Sequence, residues 1–295
     1  MSYQINQHFF PSTQIYLNSK YADAYGDVPS KKSWCYFNFK EPIVKLPMAY
    51  DFLISLDSAE IPCSFFAVNA SNNSITFNVQ YTNSIGTSFN ETSTTTLANG
   101  NYSAIDLASI ITSKVLNANN YYYIKCSYNT TTNLFSYQVN SLNSTNCSNI
   151  TSFSILAGSP NSIFGLSGRQ LLSTNNINNT ITLVSDAGVD LAGTRAIYIK
   201  CVNIHTQAYD SRTKYSGTTL ARIPVIEEPL GIVFWNNSTG FKAKCSLKNV
   251  ANLEIQVVDE FGNFVDFNNV DWTATIQLDI LAGSPTDYVP DTPGF

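Results

Sequence analysis

Charge is scarce in this chain. Lys, Arg, Asp and Glu make up 13% of its 295 residues, about half of the ~25% usual in globular proteins. The 16 basic residues are outnumbered by 21 acidic ones and form no run, leaving a formal net charge of −5. Electrostatic binding of nucleic acid works by releasing counterions with clustered cations, so direct contact with a genome is not expected. Histidine is nearly missing, with only 2 residues, His8 and His205. Ser-His-Asp and Cys-His devices need an imidazole to carry the proton, and a zinc site of His and Cys ligands meets the same shortage. Long apolar runs are absent too, none nearing the ~20 residues that span a bilayer. The opening Met1-Ser-Tyr-Gln-Ile-Asn-Gln-His8 lacks a basic region followed by an apolar core, so the expectation is a soluble protein made in the cytosol. The 6 cysteines (Cys35, Cys63, Cys126, Cys147, Cys201 and Cys245) never occur as Cys-x-x-Cys. Most lie within apolar, strand-like runs and read as buried free thiols, with disulfides as the alternative that their even number permits.

Asn, Ser and Thr stand where charge is missing. They make a neutral, hydrogen-bonding surface on which neighbours pack without electrostatic repulsion, although an AT-rich genome gives the same bias through codon usage. Eleven Asn-x-Ser/Thr sequons, at Asn69, Asn72, Asn90, Asn101, Asn129, Asn143, Asn146, Asn149, Asn178, Asn236 and Asn237, follow from this composition by chance; they would mark glycosylation only in a secreted chain. The hydrophobic share of 44% suffices for one large core or two modest ones.

The apolar residues recur with the period of strands. In Tyr50–Leu56, Tyr50, Phe52, Ile54 and Leu56 alternate with Asp51, Leu53 and Ser55. Ile197, Ile199 and Cys201 alternate with Tyr198 and Lys200 in the same way. Further strands are expected at Gln14–Leu17, Trp34–Phe39, Ser74–Tyr81, Tyr121–Ser127, Leu134–Val139, Thr180–Val184, Thr218–Ile223 and Gly231–Trp235, a spacing that suits a β-sandwich. One segment has helical spacing: Ser103 caps it with Asp106 three residues on, and Leu107, Ile110, Ile111, Lys114 and Val115 follow. With the strands around it, this helix forms a β-α-β-β block, expected as an α+β insertion at residues 86–171. The jelly-roll sandwich then comprises residues 1–85 and 172–284, followed by a tail at residues 285–295. The pentapeptide Leu-Ala-Gly-Ser-Pro at Leu156–Pro160 recurs at Leu281–Pro285, the one echo that would suit a double jelly roll instead.

The C-terminal third has the plainest pattern. Leu253, Ile255 and Val257 share one face of a strand that leads through Asp259-Glu-Phe-Gly-Asn263 and Asp266-Phe-Asn-Asn-Val-Asp-Trp272 into a second. There Trp272, Ala274, Ile276, Leu278 and Ile280 lie opposite Thr273, Thr275, Gln277 and Asp279. This segment resembles the closing strands of jelly-roll minor capsid and penton proteins of large nucleocytoplasmic DNA viruses (giant viruses) and their virophages. Thr13–Ser19, Tyr50–Phe65, Asn99–Ser103 and Leu191–Ile199 look like further blocks of that family, in family order. The resemblance implies an all-β, antiparallel jelly-roll sandwich with a small α+β insertion, acting as a structural component of an icosahedral capsid. Within that role it points to the vertex, where copies close into a ring, a pentamer, through lateral contacts. The alternative is a minor capsid (cement) protein linking major capsomers. The implied partners are further copies, the major capsid protein and other minor capsid proteins; the implied place is the virion capsid, assembled in the host cytoplasm.

Residues suited to chemistry are few. His205 is near Asp210 and beyond Cys201 but reads as a loop residue. Glu227–Glu228, the pair Asp186/Asp190 and the set Asp259, Glu260, Asp266 and Asp271 are the carboxylates that a glycosidase or a calcium site would draw on, and turn formation accounts for them as well. Gly165-Leu-Ser-Gly168 lacks the glycine spacing of a nucleophile elbow. No enzyme, catalytic residue, metal or cofactor is expected. A carbohydrate-binding, lectin-like sandwich is the alternative of another class, since Tyr and Trp side chains stack on sugars; Trp34, Trp235 and Trp272 are nevertheless expected in cores. The segments Met1–Ser12 and Pro285–Phe295, with Pro11, Pro290 and Pro293, are expected to serve as arms that grip neighbours.

Overall fold

The computed structural model describes residues 12–45, 50–114, 121–142, 144–156, 161–203, 217–245 and 249–282. Contacts divide the chain into two compact units, residues 1–65 with 194–295, and residues 66–193. The first unit opens with β1 (Thr13–Asn18), β2 (Ala24–Tyr25), β3 (Trp34–Asn38), β4 (Val44–Lys45) and β5 (Tyr50–Pro62). The second contains β6 (Ser74–Thr82), β7 (Ser88–Thr96), α1 (Ala104–Lys114), β8 (Tyr122–Asn129), β9 (Leu134–Ser141), β10 (Asn149–Ile155), β11 (Leu171–Ser173) and β12 (Thr180–Val184). The chain then returns to the first unit with β13 (Ala196–Cys201), β14 (Thr219–Pro224), β15 (Ile232–Asn236), β16 (Ala243–Cys245), β17 (Asn249–Val250), β18 (Asn252–Asp259) and β19 (Thr273–Ala282).

Pairing in the first unit is nested. β1 pairs with β19, β3 with β18, β5 with β15 and β16, and β13 with β14, all antiparallel. The outermost strands of the sequence therefore meet each other, and so on inwards, as when one long hairpin is rolled up. This is a jelly roll. Its two sheets run β1-β19-β5-β15, with β16 also on β5, and β14-β13-β18-β3-β2. Their inner faces share one core in which Phe52, Ile54, Ile199, Ile255, Phe267 and Trp272 are almost fully buried. Trp272 meets Phe37 edge-on with ring centroids 6.4 Å apart, and its Nε1 donates to the Lys32 carbonyl at 2.7 Å, so the indole is satisfied as well as buried.

A bulge in β5 sets which side chains face that core. Against β19, the register passes from Thr275↔Ser58 to Ile276↔Leu56, leaving Asp57 as the extra residue. Up to Leu56 the buried apolar positions are even-numbered (Phe52, Ile54, Leu56); beyond the bulge they are Ala59, Ile61 and Cys63. One additional residue reverses the parity of a strand. As a result Ser58 and Glu60 are turned to the outer face.

The second unit has its own core. One sheet runs β11-β10-β6-β7 and the other β12-β9-β8. Phe77 stacks on Phe153 at 6.0 Å and tilts against Tyr137 at 5.7 Å. Helix α1 buries Leu107, Ala108 and Ile111 in the same core. Its expected cap is present: the Asp106 amide donates to Ser103 Oγ at 3.1 Å, and that hydroxyl donates to Asp106 Oδ2 at 2.7 Å. Pairing here is not nested, since β6 joins β7 and β10 while β9 joins β8 and β12; the nested order is found in the first unit alone.

The expected boundaries at residues 86 and 171 lie too far inward. Ser74–Thr82 and Thr180–Val184, read as strands of the roll, belong to the second unit, because their partners are Ser88–Thr96, Asn149–Ile155 and Leu134–Ser141. Alternation marks a strand as having one buried face without naming the sheet it joins. The insertion is accordingly not a β-α-β-β block: among the described residues, seven strands in two sheets accompany the helix. Within this unit the entering and leaving chains touch, since a Cβ added to Gly193 would lie 3.2 Å from the Ala67 Cα.

Two outcomes follow. Trp272→Ala should lower the stability of the roll by about 3–5 kcal/mol, the usual cost of emptying a large aromatic site, measured by urea denaturation; a loss below about 1 kcal/mol would remove Trp272 from the core. Excising residues 66–193 and joining Phe65 to Thr194 through a short linker should leave a cooperatively melting, strand-rich protein by circular dichroism, because the nested pairs all survive; an unfolded product would make the roll dependent on the second unit.

Candidate functional site

His8, His205 and Asp210 lie outside the described residues, as do Asn143, most of both Leu-Ala-Gly-Ser-Pro copies and, apart from Ser12, the two terminal arms. Cys201 is fully buried, and its thiol donates to Asn203 Oδ1 at 3.2 Å. Burial pushes the Cys35, Cys126 and Cys201 thiols up to about 12, so none offers a thiolate near neutral pH. All six cysteines are buried, and none is in a disulfide.

The candidate carboxylates are engaged by the backbone and by neighbouring side chains. Asp259 Oδ1 accepts the amides of Phe261 and Asn263, both at 2.8 Å. Asp266 accepts the Asn268 amide at 2.9 Å, and Glu260 Oε1 the Arg195 amide at 3.1 Å. Asp271 pairs with Lys32 Nζ at 2.6 Å and accepts from Ser19 Oγ at 2.9 Å. In the second unit, the hydroxyl and amide of Ser167 bind Asp186 and hold its carboxyl below the usual range, which closes the Gly165–Gly168 turn. Asp190 accepts the Ala192 amide at 3.1 Å. Glu227 and Glu228 are exposed on a loop. Among the described residues no group of three or more His, Cys, Asp or Glu side chains is placed to hold a metal ion.

Trp34 departs from its expected place. Cys35 and Phe37 face the core, so Trp34 lies on the outer face of its sheet, stacked on Phe264 at 5.2 Å and donating from Nε1 to Glu254 Oε1 at 2.7 Å. Gly26 permits that position, because a Cβ there would come within 2.3 Å of the indole. Trp235 packs only partly against the core.

What the roll does present is a groove of about 570 Å³ on the outer face of its first sheet. Strand pairing aligns Tyr16, Thr275, Ser58 and Asn236 in one row and Asn18, Thr273, Glu60 and Phe234 in the next. Tyr16 at 77% exposure, Tyr21 at 72% and Phe234 at 70% stand at the two ends, and short hydroxyls form the floor between. Thr273 Oγ1 donates to Glu60 Oε2 at 3.1 Å, and Glu60 is the one charged residue in the lining. The alternation signals this face: Tyr16 falls between buried Ile15 and Leu17, and Phe234 next to buried Val233. Its use as a concave surface was not legible, because the outward turn of Ser58 and Glu60 depends on the Asp57 bulge.

Comparison with known proteins gives structural likeness only. No protein-family model matches the chain, and no curated protein matches it in sequence. It is similar in structure to the mavirus penton protein, with a TM-score of 0.43 and 8% identity over 92% of this chain and 100% of that one. It is also similar to a chain of the Sputnik virophage, with a TM-score of 0.39 and 12% identity over 93% of this chain and 99% of that one. The nested strand pairing, rather than these distant likenesses, defines the roll.

Beyond the groove, Asp279 is the most buried acid of the sheet, at 5% exposure. It ties β19 to the residues just before β1 and β16, accepting from Ser12 Oγ, Lys242 Nζ at 2.6 Å and Gln277 Nε2 at 2.8 Å. Desolvation raises its pKa, but these three donors outweigh desolvation and the net shift is downward. A depressed carboxyl stabilises the fold above its unfolded pKa of ~3.9 and loses that contribution as pH falls through the lower folded value. Asp279→Asn should therefore cost roughly 1–2 kcal/mol at pH 7 and progressively less below pH ~4 in urea titrations; an equal cost at pH 7 and pH 2.5 would dismiss the charge as the cause.

Proposed function

We propose that this chain is a structural component of an icosahedral viral capsid and that it forms the five-fold vertex as a closed ring of copies. The nested pairing of the roll around one core carries this reading. Such a unit presents two broad sheet faces, and identical units meeting through unlike surfaces close into rings. The ordered sequence blocks that resemble those of penton and minor capsid proteins support it, as does the low charge of the chain, 13% of its residues, which lets identical copies approach with little repulsion. A second unit inserted between β5 and β13 suits a vertex protein, which carries an added domain on its roll. The candidate acids support a structural role too, since turns and ion pairs occupy most of them. Further copies, the major capsid protein and other minor capsid proteins are the partners, and the virion, assembled in the host cytoplasm, is the location. Met1–Ser12 and Pro285–Phe295 serve as the gripping arms.

Size-exclusion chromatography with in-line mass measurement should find a species of five chains, and particle density should place the chain around the five-fold axes. Density between major capsomers and away from the vertices would replace the ring with a cementing role; a monomer that never enters particles would remove both.

A further inference from the structure

The groove on the outer face of the first sheet has the chemistry of a sugar site, and we propose that it binds a neutral oligosaccharide. Its volume, about 570 Å³, falls among ligand sites, which run from ~300 to ~1,000 Å³. Its length suits a short chain of pyranose rings: three strand spacings separate Tyr16 from Asn236, about 14 Å.

The lining matches a sugar group by group. A pyranose has apolar C–H faces and a rim of hydroxyls that both donate and accept. Tyr16, Tyr21 and Phe234 provide exposed rings at the ends of the groove, and aromatic faces stack on such C–H surfaces. Between them, Glu60 accepts from Thr273 through Oε2, which leaves Oε1 for a sugar hydroxyl, and Asn18 uses Oδ1 on the Lys20 amide, which leaves its Nδ2 as a donor. No Lys or Arg lines the groove; the one ammonium close by, Lys20 Nζ, is held 5.8 Å from the centroid of the Tyr21 ring at one end, so an anionic ligand such as a sialylated or sulfated glycan or a phosphate would meet Glu60 on the floor without a counter-charge there. A protein partner fits less well. A stable interface needs ~800 Å² per side around an apolar centre, whereas here polar groups (Ser58, Glu60, Thr273, Thr275) alternate with Leu17, Ala59, Trp235 and Ala274 along the lining.

The Asp57 bulge constructs this floor. Were β5 regular, Ser58 would continue the inward parity of Phe52, Ile54 and Leu56 and point into the core. Re-aiming a side chain towards a ligand is a common use of a bulge.

The test uses the full chain and a printed panel of neutral oligosaccharides (maltotriose, cellotriose, chitotriose and N-acetyllactosamine) with 3′-sialyllactose as the anionic comparison. Hits are followed by titration calorimetry on the wild type and on Tyr16→Ala, Phe234→Ala and Glu60→Gln. The expected result is binding of at least one neutral glycan but not of sialyllactose, weakened about tenfold or more in each variant while its melting temperature stays within a degree or two of wild type. Wild type that binds no neutral glycan, or binding unaffected by all three substitutions, would overturn the proposal. If Tyr16→Ala and Phe234→Ala break up an assembly while no glycan binds, the face is a contact between copies: the sugar site falls and the capsid role stands.

Discussion

From Thr273↔Glu60 to Ala282↔Tyr50, β19 runs antiparallel along β5, and along its other edge it carries β1 from Thr13↔Leu278 to Asn18↔Thr273. This last strand is thus the inner strand of its sheet, hydrogen-bonded on both sides, and its inward row of Trp272, Ala274, Ile276 and Leu278 is buried throughout. Removing it would leave β1 without a partner and expose the face that β5 presents. The polar end of the same strand is tied as firmly: the Trp272 carbonyl accepts the Ser19 amide at 3.0 Å, the Trp272 amide donates to Ser19 Oγ at 3.1 Å, and Asp271 pairs with Lys32. Hydrogen bonding, apolar burial and a short ion pair therefore converge within a few residues on the segment that closes the roll.

Local features of the fold were legible, and partnerships were not. Alternation marked the buried rows of β18, β19 and β13, and the Ser103–Asp106 capping pair marked α1. For β6 and β12 the same signal placed strands correctly and assigned them to the wrong unit, because period two records that one face is buried and says nothing of which strand lies alongside. β10 escaped notice for a related reason: Phe153, Ser154 and Ile155 are all buried, so the strand shows no alternation. β5 was read as ending at Leu56 because the bulge shifts its parity there. For the groove, the aromatic ends lay in plain alternation, but the floor between them required the register of four strands.

The asparagines have a local use beyond surface polarity. Asn83, Asn129 and Asn237 each accept backbone amides two to four residues ahead through Oδ1, the geometry of an Asx-type turn. Asn133, Asn178, Asn179, Asn268 and Asn269 occupy left-handed backbone positions, with φ between 49° and 65°, which Asn tolerates better than most residues. A chain of many short strands needs many tight corners, and here Asn makes them where glycine otherwise would.

The adjacency of Ala67 and Gly193 has a consequence for how the protein is made. The second unit is one uninterrupted stretch of sequence, so its core can form as soon as that stretch has left the ribosome. The roll enjoys no such continuity: β1, β3 and β5 emerge first, yet β19, the strand that joins β1 to β5, is synthesised only after the whole second unit and every other described strand. At ~5–20 residues per second, the nascent strands wait roughly tens of seconds beside a finished neighbour, with open edges that other chains could pair with. A shielding chaperone, or slow translation that spaces nascent chains apart, would raise the yield of the roll without altering a single native contact.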